Sequence, residues 1–392
     1  MTHSKTVRRG RHFLQIPGPA SLPDRVMRAM CRPLIDHRGP DFAKMTISIL
    51  ERLQKVFQTS GAVIVYPASG HGAWEAALVN PLSPGDQVLV CENGHFAAKW
   101  CDVAERLGLN VDRISGDWRR GVDPAAVEAR LSEDRDHQVK AVMMVHTETS
   151  TGVTARVADV RQAIDRTGHP ALFMVDAVSS LGTTKYRHDD WGVDVTVCAS
   201  QKGLMLPPGL AFNTVSEKAL HASRRSMFPR AFWDWQPVLS FNERGFFPYT
   251  PATGLLFGLD ESLDILFEEG MDNVFARHAR LAEGTRRAVQ AWGLEIQCEE
   301  PSEYANSITG VRLPAGHDAD KLRQIILDNS DMSLGKGLGK VEGAIFRIGH
   351  LGDFNELMLL GVLSGVEMGL ATAGVPHKQH GVQAAMDFLR SG

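Results

Sequence analysis

Between Ala62 and Ala199, short apolar runs rich in Val, Ile and Met alternate with stretches of helical periodicity, and this alternation leaves few possible architectures. The runs AVIVYP from Ala62, DQVLVCENG from Asp86, Asn110 to Ile114, VKAVMMVHTE from Val139, ALFMVDAVSS from Ala171 and VDVTVCAS from Val193 are short and bounded by turn-forming residues. They read as strands. Between them SGHGAWEAALVNPL reads as a glycine turn and helix, with further helices over Phe96 to Leu107, in DPAAVEARL with Asp123 as its cap, and in VADVRQAIDRTG. Strands apolar along their whole length need cover on both faces. The expected core is therefore a mostly parallel sheet sandwiched by helices.

Outside that stretch the rhythm changes. Residues 1–22 are basic and polar and end in IPGPASLP, where Pro and Gly forbid a helix, so an extended arm is expected. Residues 23–60 carry helical spacing. Beyond Thr250, LLFGLDESL through AWG is almost continuously helical with a break at Gly270. There follow SITGVRLP, a helix over Asp318 to Asp328, the glycine-rich SLGKGLGKVEG, the strand IFRIGHLG and a last helix. The expected organisation is an arm over 1–22, a large domain over 23–268 and a smaller α/β domain over 269–392.

Composition narrows the function. The 392 residues are 43% hydrophobic with a net charge of −4, which supports a large core but no electrostatic footprint for nucleic acid or an anionic membrane. No apolar run is long enough to span a bilayer, and the basic start is followed by no apolar segment of a secretory leader. The five cysteines (Cys31, Cys91, Cys101, Cys198 and Cys298) are scattered without metal-ligand spacing. They fit a reducing, cytoplasmic setting, with no metal expected and small molecules as partners.

The chemistry concentrates at strand ends. In VTVCASQKGLMLPPG, Lys202 stands where an apolar strand breaks into Gly and Pro. A lysine partly desolvated there has a lowered pKa and an amine free for Schiff-base chemistry; otherwise it is a solvated surface charge. Asp176 ends the strand of ALFMVDAVSS, and in parallel α/β sheets both side chains would reach one crevice. A lysine imine with a carboxylate facing a pyridine nitrogen is the signature of pyridoxal phosphate; alternatively, Asp176 caps a backbone amide. Ser69, Gly70, His71 and Gly72 open a helix and suit a phosphate. Gly70 and Gly72, with Glu92 further on, also begin a dinucleotide fingerprint, although Glu75 occupies the place of its third glycine. Phe96 could stack on a planar ring or belong to the core. Thr149, Ser150 and Thr151 in HTETSTG could bond a ligand or form a turn. Arg347, among apolar residues in FRIGHLG, needs an anionic partner: a substrate carboxylate or an internal acid.

The combination of the IPGP arm, SGHGAWEAAL, SPGD, ENGHF, HTETSTGV, VDAVSS, DDWGVD, SQKG with LPPG, PYTP, LFEEG, FARH, AWGL and FRIGHLG resembles the class V pyridoxal-phosphate aminotransferases over nearly the whole chain. The GAWEAAL, FWDW and FRIGHLGDFNELMLLG runs are most similar to their serine–glyoxylate branch. The resemblance implies fold type I, with a mostly parallel seven-stranded sheet, and a homodimer whose active sites are shared. It implies transamination from a small L-amino acid to glyoxylate, with serine preferred as donor and aspartate or alanine as alternatives. A desulfurase-like lyase is a remote alternative that would need a mobile nucleophilic cysteine. On matching positions, Lys202 would carry the cofactor linkage and Asp176 would pair with the ring nitrogen. Phe96 would stack on the ring, and Thr149 would bond its phenolic oxygen. Ser69, Gly70, His71 and Gln201, with Thr250 of the partner subunit, would hold the phosphate, and Arg347 would hold the substrate carboxylate. Phe247 stands where alanine–glyoxylate relatives have Tyr, and Thr147 where plant serine–glyoxylate enzymes have Asn.

Overall fold

The structure is a computed structural model that describes residues 10–391. Residues 1–9 of the expected arm and residue 392 lie outside the described residues.

Seven strands form the large sheet in the order Ala62–Tyr66, Ala211–Val215, Val195–Ala199, Leu172–Asp176, Val139–Val145, Gln87–Glu92 and Asn110–Ser115. Neighbours are parallel except at Ala211–Val215, which is antiparallel to both partners. That strand is absent from the sequence pattern above. It follows Ala199 with no helix between, so the connection is too short for a parallel crossover and the chain returns antiparallel.

Alternation along each strand sends side chains to two cores. Val142, Met144, Phe173 and Val175 meet the helices Pro40–Phe57, Val157–Thr167 and Thr253–Glu269 on one face. Ala141, Met143, Met174 and Val197 meet Gly70–Val79 and His95–Arg106 on the other. Each large side chain fully buried this way contributes roughly 1.5–3 kcal/mol, which is why neither face stays in water.

Residues 23–60 do not form one helix. Asp24–Met30 and Pro40–Phe57 are separate, because Pro33 interrupts the first and Pro40 starts the second at a position that needs no amide donor. The break at Gly270 is present: Thr253–Glu269 ends there and Met271–Ala291 begins. The glycine-rich segment is partly ordered as the strand Met332–Lys336, and the end of the chain carries two helices, Glu356–Thr372 and Gly381–Arg390.

The second sheet has the order Phe13–Gln15, Met332–Lys336, Ile345–Gly349, Ile308–Arg312 and Glu295–Ile296. Its core gathers Trp292, Phe346, Leu359 and Leu363. The helix Met271–Ala291 runs from one core to the other, with Val274 in the large sheet's core and Leu281 in the small one's. The arm is extended as expected and has a defined partner. Phe13 to Gln15 pair in parallel with Met332 to Leu334, and the chain then crosses to the large sheet, where Ala20 N–H donates to Gln201 O at 3.0 Å. Among the described residues no helix is long and apolar enough to cross a membrane.

Candidate active site

The carboxyl ends of the parallel strands surround a cavity of about 170 Å³. Ser69, Gly70, His71, Phe96, Thr149, Asp176, Gln201 and Lys202 all line it, together with Trp74, Thr147, Val178, Ser179 and Gly18. An apolar cavity of about 150 Å³ holds benzene, so one substituted six-membered ring is of the right size. A larger cleft of about 590 Å³ lies at the opposite edge of the sheet, among exposed side chains such as Lys140, His221 and Arg225, far from these strand ends.

Lys202 and Asp176 are brought together by a close backbone approach. A Cβ on Gly203 would lie 2.3 Å from Leu181 O, and one on Gly182 would lie 2.8 Å from Gly203, so the loops after the two strands touch only because both residues are glycine. Lys202 is 7% exposed, and its Nζ donates to Pro17 O of the arm. A Cβ on Gly18 would lie 2.5 Å from the lysine's Cδ, so the arm crosses Lys202 at the one residue type that fits. Burial and the nearby Arg347 charge lower the lysine to about 7, against the opposing pull of Asp176 and Glu148. Burial raises Asp176 to about 7, partly offset by bonds from Val178 N–H to Oδ1 at 2.7 Å and from Trp74 Nε1–H to Oδ2 at 2.8 Å. The capping role and the site role of Asp176 therefore coexist: one oxygen caps a backbone amide and the carboxylate still faces the cavity.

The phosphate candidates form a cradle of unpaired donors. The helix Gly70–Val79 has no side-chain cap; Gly72 and Ala73 N–H bond Ser69 O, while among the described residues the Gly70 and His71 amides have no partner. Such orphan amides at a helix start favour an anion. Gln201 has a buried Oε1 with no partner; that oxygen is an acceptor, so its contribution to an anion would come from the other end of the amide. Thr250 is exposed and does not line the cavity in this chain.

Arg347 stands behind Thr149, donating from Nη1 to Thr149 O and from Nε to Lys336 O, each at 2.7 Å. Among the described residues it has no carboxylate in ion-pair range, so the internal salt bridge weighed above is absent. Burial lowers it to about 10, which leaves it charged at neutral pH. The nearby Glu148 is committed elsewhere. Its Oε2 accepts from Phe96 N–H at 3.0 Å and Ala97 N–H at 3.1 Å, and its Oε1 from Ser150 N–H at 3.0 Å and Ser150 Oγ at 2.7 Å. It caps the helix His95–Arg106 from a distant loop and so fixes where Phe96 stands.

Sequence reasoning missed Trp74, Glu148 and Ser179, whose Oγ bonds Thr149 Oγ1. Only Trp74 left a signal, lying one helical turn after Gly70 on the same face. Glu92 is corrected: it pairs with Lys340 at 2.9 Å and Arg113 at 3.6 Å and accepts from Trp118 Nε1, so its carboxylate is already engaged and is not open to a ribose. Phe247 packs edge-on against Phe42 at 6.3 Å in the core.

The family Aminotransferase class-V matches residues 12–339. The chain belongs to the class-V aminotransferases. It is 47% identical over 392 residues to the serine–glyoxylate aminotransferase of Methylorubrum extorquens, covering 98% of each chain. It is 43% identical over 377 residues to the L-aspartate–glyoxylate aminotransferase of Paracoccus denitrificans, covering 96% of this chain and 95% of the relative. The crystal structure of ureidoglycine–glyoxylate aminotransferase from Bacillus subtilis matches with a TM-score of 0.91 at 27% identity, over 99% of this chain and 100% of that one. This aminotransferase therefore has fold type I, and the dinucleotide interpretation of Gly70 and Gly72 falls away. The lyase alternative also lacks its nucleophile. None of the five cysteines lines the cavity, and burial raises the Cys298 thiol to about 12.

The lowered lysine leads to a pH prediction. Only the neutral amine attacks an aldehyde, and Lys202 is neutral above about pH 7, whereas an ordinary lysine stays protonated to about 10.5. Imine formation between Lys202 and an added aromatic aldehyde is expected to accelerate as pH rises through about 7 and to level off above it. Stopped-flow absorbance checks this; a rate still climbing past pH 9 would mean the amine is solvated.

Proposed function

We propose that this aminotransferase uses pyridoxal 5′-phosphate to move the amino group of a small L-amino acid, serine by preference, onto glyoxylate, forming glycine and the donor's 2-keto acid (hydroxypyruvate from serine). The observation that carries this reading is the meeting of Lys202 and Asp176 in one ring-sized cavity beside an uncapped helix start. The serine–glyoxylate and aspartate–glyoxylate names of the relatives support the acceptor and narrow the donor.

When bound, pyridoxal phosphate supplies an aldehyde that carries the amino group and a ring that draws electrons from the substrate's α-carbon. The chain supplies the rest. The Gly70 and His71 amides, with Ser69 and Gln201, would hold the phosphate, and Thr250 of the partner subunit in a homodimer would complete that cradle. Phe96 would pack on the ring, and Thr149 would bond its phenolic oxygen. Asp176 would keep the ring nitrogen protonated. Arg347 would bind the carboxylate common to donor and acceptor, orienting the α-carbon toward Lys202. Lys202 Nζ, neutral above about pH 7, would take the α-proton in one half-reaction and return it in the other. The free cysteines, all but Cys31 buried, fit a cytoplasmic setting.

The test is the absorbance of the purified holoenzyme mixed separately with serine, aspartate and alanine, with no keto acid present. Conversion of the yellow form is expected to be fastest with serine. Faster conversion with aspartate or alanine would move the chain to another branch; a protein that binds no pyridoxal phosphate would overturn the cofactor itself.

A further inference from the structure

We propose that Trp74 is a positioning residue for Asp176: its indole N–H holds the carboxylate ionised and turned toward the ring nitrogen. The inference rests on the cofactor reading above and deepens it. Asp176 Oδ1 takes the Val178 amide at 2.7 Å and Oδ2 takes Trp74 Nε1–H at 2.8 Å, so both oxygens are pinned from behind and the remaining lone pairs face the cavity. Among the described residues these are the only two hydrogen bonds to that carboxylate.

Trp74 is itself held rigidly. It is 2% exposed, stacked on Trp100 at 6.0 Å with 16° between the rings, and its ring also lies 4.5 Å from His71 and 6.4 Å from Phe96. The helix Gly70–Val79 thus does two jobs. Its first amides lie at the cavity without partners, and one turn later its indole N–H reaches Asp176. The other titratable groups around Asp176 are Lys202 on the following loop, Glu148 on the neighbouring hairpin, Cys198 on the adjacent strand and Tyr186. Lys202 alone among them favours the charged carboxylate, so loss of the indole bond removes one of few contacts that keep Asp176 ionised against burial. A protonated Asp176 cannot hold a proton on the ring nitrogen.

The test compares Trp74→Phe with Trp100→Phe. Trp100 Nε1 is buried with no partner, so its replacement removes the same atoms without removing a bond to Asp176. Trp74→Phe is expected to weaken pyridoxal phosphate binding about 10- to 100-fold, the loss of one hydrogen bond to a charged group, and to move the acidic limb of the serine half-reaction to higher pH. Trp100→Phe is expected to stay within about threefold of wild type on both readouts. The decisive measurement repeats the binding with 1-deazapyridoxal phosphate, in which CH replaces the ring nitrogen. The difference between wild type and Trp74→Phe should then shrink to about twofold or less. An equal loss in both tryptophan variants, or a penalty that persists with the deaza compound, would make Trp74 a packing residue only. A wild-type chain that binds neither compound would refute the cofactor reading and this inference with it.

Discussion

Lys202→Ala is expected to lower turnover at least ~10³-fold while the protein stays folded and still binds pyridoxal phosphate without a covalent link. A positioned acid–base group contributes about 10²–10⁴-fold, and in the proposed reaction the same amine would also carry the aldehyde, so both functions would fail together. The fold does not depend on the lysine. Held near 7 when its ordinary value is 10.5, Lys202 opposes folding: below about pH 7 the charged amine must be buried, at a cost on the order of 5 kcal/mol, and between about 7 and 10.5 its proton is released on folding. The sign follows from the depressed value: between about pH 7 and 10.5 the unfolded chain binds the extra proton, so this penalty fades as pH rises. Removing the side chain removes the penalty, and the thermal midpoint at pH 7 is expected to hold or rise. Thermal melting alongside steady-state rates checks both halves. Undiminished turnover would return Lys202 to the rank of an ordinary buried lysine, and a collapsed midpoint would mean the loss of activity reflects folding.

Arg347→Ala is expected to lower kcat/KM about 10²–10³-fold, mostly through KM, and to do so for donors and glyoxylate alike. Arg347 is 6% exposed and charged, yet among the described residues its hydrogen-bond partners are the carbonyls of Thr149 and Lys336. A buried cation with no carboxylate in ion-pair range is costly, and a bound carboxylate would supply that partner. Two charge-assisted hydrogen bonds from one fork are worth about 1.5–3 kcal/mol each. Arg347→Lys keeps the charge without the fork and is expected to recover only part of the loss. Saturation kinetics on serine and on glyoxylate decide the matter. An unchanged KM with a lower melting midpoint would leave Arg347 with a structural role only.

Much of the site was legible because its chemistry sits at strand ends. Asp176 and Lys202 each terminate an apolar run, and parallel strands deliver both to the same edge. Gly70 and His71 were legible as a helix start, and Arg347 as a cation in an apolar strand. What escaped notice depends on long-range contacts. Glu148 is one acid in a polar turn, and only the arrival of the helix His95–Arg106 makes it a cap. Glu92 had the spacing of a ribose-binding acid until Lys340, far along the chain, occupied it. The strand Ala211–Val215 was hidden because no helix precedes it to announce a new repeat.

The residues alone determined the alternation that demands a helix-covered sheet, the prolines that keep the arm extended and divide residues 23–60, and the residue types at each strand end. Those properties are local: they follow from side-chain periodicity, fixed φ angles and missing amide donors. The tertiary structure decided which local pieces share a cavity. It placed Pro17 and Gly18 over Lys202, Trp74 behind Asp176 and Arg347 behind Thr149. It also decided protonation, since burial and neighbouring charge move both Lys202 and Asp176 to about 7 from opposite directions. Both effects are properties of an assembled, water-excluding site, and no stretch of chain carries them by itself.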